Sequence, residues 1–297
     1  MRQLIAALLA AVFLVSCGGG GSSSSTAAAP QDQQLVGEIF AAPSEIGTAE
    51  IQSSIGYSGN LPMSRAIRDA GKQNILDLLF MFSPGDAQGR PRSAMAPDAE
   101  LKLIQYANDN RDLLVPGIRV LISDEVFWNT TDPSDTSTAL QPQLDALKAA
   151  VALVRKYIPT ASIGITVTPY ATFGRPNTLE YVKKAVAEVD WVGTDPYWLG
   201  DPANVQDLND WSSSFNGMAK QANPGVETWF IAQAFKLAPW DPATFNSFIA
   251  TQLQYAEQYD NILFFGWQFV SEIDVSAAGV NFPPETKRLY QKYLKTG

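Results

Sequence analysis

The stretch IRVLISDEVFWN, residues 118–129, decides the fold. Arg119 apart, its first half is apolar and suits a strand buried on both faces, as strands of a helix-covered parallel sheet are. The chain then runs into two adjacent carboxylates, Asp124 and Glu125, followed by Phe127 and Trp128. Why an apolar strand should end in a pair of like charges depends on where that end sits.

The same pattern recurs on either side of it. Apolar runs stand at VGEIF (36–40), ILDLLFMF (75–82), SIGITVT (162–168), WVGTD (191–195), TWFIAQAF (228–235) and ILFFGWQF (262–269), with a weaker one at IQSSIGY (51–57). Helical spacing of apolar residues fills the intervals at 63–72, 97–113, 141–157, 178–188, 206–222, 242–258 and 284–295. LDALKAAVALVRKYI (144–158) is the clearest case. Eight strands alternating with helices across about 260 residues predict a single α/β domain, a (β/α)₈ TIM barrel. A doubly wound open sheet is the other arrangement of such units. It usually carries a glycine-rich turn after its first strand, and VGEIFAAPSE lacks G-x-G-x-x-G.

The N-terminus reads as an address. Residues 1–16 have a basic Arg2, an apolar run from Leu4 to Val15 and a small residue before the cut, the parts of a secretory signal. The run is too short to span a bilayer comfortably. Leu14-Val15-Ser16-Cys17 resembles the lipobox of bacterial lipoproteins, which implies lipidation at Cys17 and, in a Gram-negative host, the outer membrane. Residues 17–33, GGGGSSSSTAAAPQDQ included, read as the lipidated cysteine and a flexible Gly/Ser-rich linker. Residues 34–297 are then the barrel domain. An exported protein tethered to the cell envelope by lipid, and otherwise a monomer, is the expectation.

Composition narrows the chemistry. The 297 residues carry 21 basic and 30 acidic side chains, a net charge of −9, which disfavours a nucleic-acid partner. There is no histidine and one cysteine. Ser-His-Asp and Cys-His nucleophiles and histidine zinc sites are excluded. A metal would need oxygen ligands alone, and the strand ends offer few clustered carboxylates. No metal and no cofactor is expected. Acid–base work falls to carboxylates.

In a barrel the active site lies at the C-terminal ends of the strands. The fourth predicted strand ends in Asp124-Glu125 with Trp128, the fifth in Thr168-Pro169-Tyr170, and the sixth in Asp195-Pro196-Tyr197-Trp198. The seventh ends in Gln233-Ala234-Phe235, with Trp240 in the following loop, and the eighth in Trp267-Gln268. Carboxylates, amides and large aromatics at one end suit a carbohydrate, whose ring faces stack on Trp and Tyr and whose hydroxyls need Asp and Gln. Asp124, Glu125 and Asp195 are the candidate catalytic residues. Trp128, Tyr170, Tyr197, Trp198, Gln233, Trp240, Trp267 and Gln268 are the candidate substrate contacts.

The order of these ends resembles the glycoside hydrolase (β/α)₈ barrels, whose acid/base glutamate follows strand four. Asp124-Glu125-Val126 is similar to the Asp-Glu pair of the β-hexosaminidase-type barrels, and Trp267 resembles the platform beneath the sugar in those and in chitinase-like barrels. The resemblance implies Glu125 as acid, with Asp124 orienting an acetamido group whose carbonyl oxygen attacks. Alternatively Asp195, Glu272 or Asp274 activates a water. The retaining clan of the fold carries a nucleophilic Glu where this chain has Gln233, and an amide cannot form the glycosyl ester. Glu227 begins that strand and is expected at the opposite end of the barrel. A carbohydrate-binding barrel without catalysis is therefore the second reading.

Overall fold

The computed structural model describes residues 34–39, 51–53, 61–84, 91–128, 134–237, 241–265, 273–275 and 284–293. Eight parallel strands close into a barrel: β1 (Leu35–Ile39), β2 (Ile51–Ser53), β3 (Gln73–Asp77), β4 (Arg119–Ser123), β5 (Ser162–Val167), β6 (Trp191–Thr194), β7 (Glu227–Gln233) and β8 (Asn261–Phe265). Each pairs with its neighbour in sequence, and β1 closes the ring by pairing β8 on one side and β2 on the other. The helices are α1 (Leu61–Asp69), α2 (Ala99–Asp109), α3 (Ser137–Tyr157), α4 (Pro176–Val186), α5 (Val205–Ala222), α6 (Pro242–Ala256) and α7 (Pro284–Gln291). All eight predicted strands and all seven predicted helices are present.

Boundaries differ where local signals mislead. The predicted strand 75–82 stops at Asp77, and Phe82–Pro84 instead forms an antiparallel pair with Pro91–Met95. The predicted strand 228–235 stops at Gln233, and Phe235–Leu237 pairs antiparallel with Ile273–Val275. Both ribbons grow from the C-terminal rim. Helix α3 starts four residues before its predicted start at 141, because the Thr136 hydroxyl caps it by accepting from Ala139 N at 3.3 Å. Pro142 lies inside the helix.

Side-chain alternation explains the two cores. Leu76, Val120, Ile122, Ile163, Ile165, Val192, Phe230, Ile262 and Phe264 point outward and pack with Leu103, Leu147, Val151, Val182, Phe245 and Ile249 of the helical layer. Ile75, Leu121, Trp191, Trp229, Ile231 and Leu263 fill the interior. Each such buried side chain contributes about 1.5–3 kcal/mol by leaving water. At the N-terminal mouth Arg119 donates to Gln73 Oε1 at 2.8 Å and pairs with Glu227 at 3.0 Å, while Asn261 Nδ2 donates to Glu227 Oε1 at 2.6 Å. The guanidinium also lies 5.1 Å over the Trp229 ring. Glu227 thus sits at the end the sequence assigns it, away from the opposite rim.

The interior has little room to spare. Trp191 and Trp229 meet with ring centroids 5.9 Å apart, and Gly164 on β5 lets the Trp191 indole lie against bare backbone. A Cβ at Gly164 would come 1.8 Å from Trp191 Cε2. Gly164→Ala must therefore displace a rigid ring in a closed space. It is expected to lower stability by at least about 2 kcal/mol, read as a lower urea midpoint with an unchanged denaturant slope.

Candidate active site

The acid segment is held by a hydroxyl from the neighbouring strand. Thr166 of β5 donates from Oγ1 to Asp124 Oδ1 at 2.6 Å, and the same oxygen accepts from Glu125 N at 2.7 Å. Val126 N donates to Thr166 O at 3.0 Å. These bonds hold an unusual backbone, with Glu125 at φ 47° and Phe127 at φ 67°. Such left-handed conformations cost non-glycine residues on the order of 1–3 kcal/mol each. Burial of Val126 and Phe127 opposes that cost, Phe127 edge-on to Tyr181 at 6.2 Å. The turn leaves Asp124 and Glu125 half-buried at the mouth.

Asp195, one residue beyond β6, is 5% exposed. Its carboxyl lies close enough to those of Glu125 and Asp124 for their charges to act on it. Burial, then the charges of Glu125 and Asp124, raise the Asp195 pKa well above the carboxylate range. Its Oδ1 has no hydrogen-bond partner. Tyr197 stacks on Phe265 at 5.4 Å and meets Phe235 edge-on at 5.1 Å. Burial, then Asp195, Asp124 and Glu125, push its phenol well up, so it stays neutral.

The structure adds Asp77, which lies outside the set of candidates drawn from the strand ends. It ends β3, on the strand beside β4, and is buried. Oδ1 accepts from Leu79 N at 2.7 Å. Burial pushes its pKa up to about 7, the Leu79 hydrogen bond opposes that, and the Asp124 charge adds to the rise. A lone Asp inside ILDLLFMF is the signal that could have found it. Thr166 gives none, because a Thr in a β-branched strand looks like any other strand residue.

The candidate contacts divide. Trp128 is 39% exposed, and its ring lies 6.1 Å from Tyr170, which in turn meets Phe173 at 5.4 Å. Tyr170 Oη donates to Tyr197 O at 2.9 Å, tying the ends of β5 and β6 together. Trp128, Tyr170 and Tyr197 thus gather beside the carboxyls. Trp198 is a correction: it is buried, donates from Nε1 to Asp201 O at 2.9 Å and packs on Phe248 of α6. Gln233 is another. Its Oε1 accepts from Trp198 N at 2.8 Å, and its Nε2 donates to Trp198 O at 3.2 Å and Phe235 O at 3.1 Å. A buried amide so committed to backbone clamps the β6 and β7 ends and has no donor left for a sugar.

Asp274 lies in the ribbon strand Ile273–Val275, opposite Lys236. Cys17, Trp240, Trp267, Gln268 and Glu272 lie outside the described residues. Among the described residues no group of three or more Asp, Glu, Cys or His side chains fits a metal ion.

Comparison with known proteins matches the fold. No family model and no curated protein matches the chain. Solved structures do, glycoside hydrolase (β/α)₈ barrels among them. The catalytic core of xylanase A is similar at TM-score 0.57 and 9% identity, over 89% of this chain and 99% of that one. A thermostable mutant xylanase from Cellvibrio japonicus gives 0.59 and 8%, over 89% and 98%. A Cellulomonas fimi endo-β-1,4-mannanase double mutant gives 0.57 and 13%, over 90% and 71%. The chain has the fold of the glycoside hydrolase TIM barrels, in agreement with the resemblance carried by its strand ends.

Asp77 gives the first test of this electrostatic picture. Its folded pKa near 7 lies above the unfolded value. Between about pH 4 and pH 7 the unfolded chain has released this proton and the folded chain has not, so stability falls as pH rises through that window. Asp77→Asn removes the slope. Denaturation at pH 4 and pH 8 is expected to show the variant gaining on the wild type by up to roughly 4 kcal/mol, at about 1.4 kcal/mol per pH unit.

Proposed function

We propose that the protein is a glycoside hydrolase acting on a polysaccharide or oligosaccharide, with Glu125 as its proton donor. The observation that carries this is buried Asp195 set against Glu125 and the Thr166-held Asp124 at the C-terminal rim of a barrel of this fold. Carboxyls whose burial and mutual charge favour keeping a proton are what general-acid departure of a sugar requires.

Glu125 gives that proton to the glycosidic oxygen as the C–O bond breaks. Asp124, held by the Thr166 hydroxyl, stabilises positive charge growing on the sugar. Asp195 makes a poor opposite-face base. A base must be ionised and reach a water, whereas Asp195 is buried and burial with the nearby carboxylate charges raises its pKa well above the carboxylate range. With Gln233 clamped where a retaining enzyme of this fold carries its nucleophile, attack falls to a 2-acetamido oxygen of the substrate or to a water activated elsewhere. On the acetamido route Glu125, once deprotonated, takes the proton from the water that opens the cyclic intermediate; on the other route the group that activates the water takes it. The same clamped Gln233 favours a second reading, a sugar-binding barrel without turnover.

Incubating the full chain and its Glu125→Gln variant with a panel of polysaccharides separates the two. Release of new reducing ends by the wild type, reduced at least about 10²-fold in the variant, is expected. No release by either, with sugar still bound, selects the binder.

We also propose that the chain is exported and acts as a monomer in the cell envelope, anchored by lipid on Cys17. The lipobox-like LVSC and the Gly/Ser run after it support this. Among the described residues no helix is long and apolar enough to cross a membrane. Cys17→Ser is expected to abolish incorporation of labelled palmitate in cells and to move the protein out of the membrane fraction.

A further inference from the structure

Thr166 is buried on β5, two residues on from Gly164 and so on the same inner row. Its two branches have different destinations. The methyl lies toward β6, where a Cβ on Gly193 would stand 3.6 Å from it. The hydroxyl lies toward β4. A β-branched side chain is stiff about χ1, so placing the methyl also aims the hydroxyl. Oγ1 accepts from Glu125 N at 2.7 Å and stands 2.6 Å from Asp124 Oδ1. An amide N–H can only donate, and a hydroxyl has one hydrogen. That hydrogen therefore goes to Asp124, whose Oδ1 is the acceptor. One atom thus treats two adjacent acids unequally. Asp124 receives a donor at its carboxyl, whereas Glu125 is gripped by its backbone and receives no donor from Thr166.

We propose that Thr166 is a positioning residue that assigns the roles of these acids, holding Asp124 as the charged one and leaving Glu125 to carry the proton. A hydrogen bond to an ionised oxygen is roughly twice as strong as one to a neutral oxygen, so the Thr166 bond lowers the proton affinity of Asp124. Among the described residues, the Asp124 charge acts in turn on Asp77 at the end of β3 and on Asp195 and Tyr197 beyond β6, and opposes loss of their protons. An uncharged hydroxyl so orders the protons of the rim. The roles rest on the glycosidase reading; the asymmetry between the two carboxyls does not.

The test is an NMR titration of the full-length protein in detergent, labelled with ¹³C at the aspartate carboxyl carbon. Asp124→Asn identifies the Asp124 signal by its loss. Thr166→Val keeps the branched shape without the hydroxyl, and Thr166→Ser keeps the hydroxyl without the methyl. Asp124 is expected to titrate about one pH unit higher in Thr166→Val than in the wild type, and to return at least halfway in Thr166→Ser. Thr166→Ala, which also lacks the hydroxyl, takes the place of the valine variant if that does not fold. A folded variant without the hydroxyl whose Asp124 titrates as in the wild type overturns the proposal and leaves Thr166 a brace for the turn. No substrate enters this titration, so its outcome is separate from whether the protein turns over a glycan. Where the wild type releases reducing ends, the acid limb of kcat/KM should move to higher pH with Asp124 in Thr166→Val. An equal loss at every pH overturns the assignment of roles.

Discussion

Closure of the parallel ladder is the constraint on which the rest of this molecule depends. Once β1 hydrogen-bonds both β8 and β2, the sheet has an inside of limited volume, and every second residue must enter it. Trp191 and Trp229 occupy most of the middle, which is why Gly164 on the strand beside Trp191 has no side chain. Polar residues of the inner rows are driven to the two ends, where some solvent contact or a partner can be found. The two mouths follow from that displacement.

They differ because the same strands carry different chemistry at each end. Strand β4 begins with Arg119 and runs on into Asp124, and β7 begins with Glu227 and ends with Gln233. At the bottom, charge meets opposite charge over the Trp229 ring, and the network seals the barrel. At the top, Asp195 is buried near the Glu125 and Asp124 charges, which raise its pKa and favour its neutral form in place of a pairing cation. A buried group can meet the cost of its charge by pairing or by neutralisation. Pairing makes a stable floor, and neutralisation leaves protons available for chemistry.

Geometry at the upper mouth is upheld by residues with no reactivity of their own. The Thr166 hydroxyl serves both Asp124 and Glu125, and holds a turn in which two non-glycine residues sit at positive φ. Gln233 and Tyr170 stitch the ends of β5, β6 and β7 through backbone carbonyls and amides. Strain at Glu125 and Phe127 is thereby confined to the segment that presents the carboxyl pair, the expected place for it.

Much of this is legible in the residues themselves. Apolar runs and helical spacing decide which segments are strands and helices, because burial on two faces or on one leaves a period along the chain. The absence of histidine decides that carboxylates must do any acid–base work. Asp124, Glu125, Asp195, Trp128, Tyr170 and Tyr197 can be named from strand ends alone, because a barrel sends them all to one rim. Only the tertiary structure decided that Asp195 is buried within reach of the Glu125 and Asp124 charges across the intervening β5, and that Asp77 ends its strand within reach of the Asp124 charge. It also turned Trp198 toward α6 and committed the Gln233 amide to backbone. Those outcomes depend on hydrogen bonds and charges between residues 35 to 70 positions apart and on which atoms water cannot reach. Neither leaves a period in the chain.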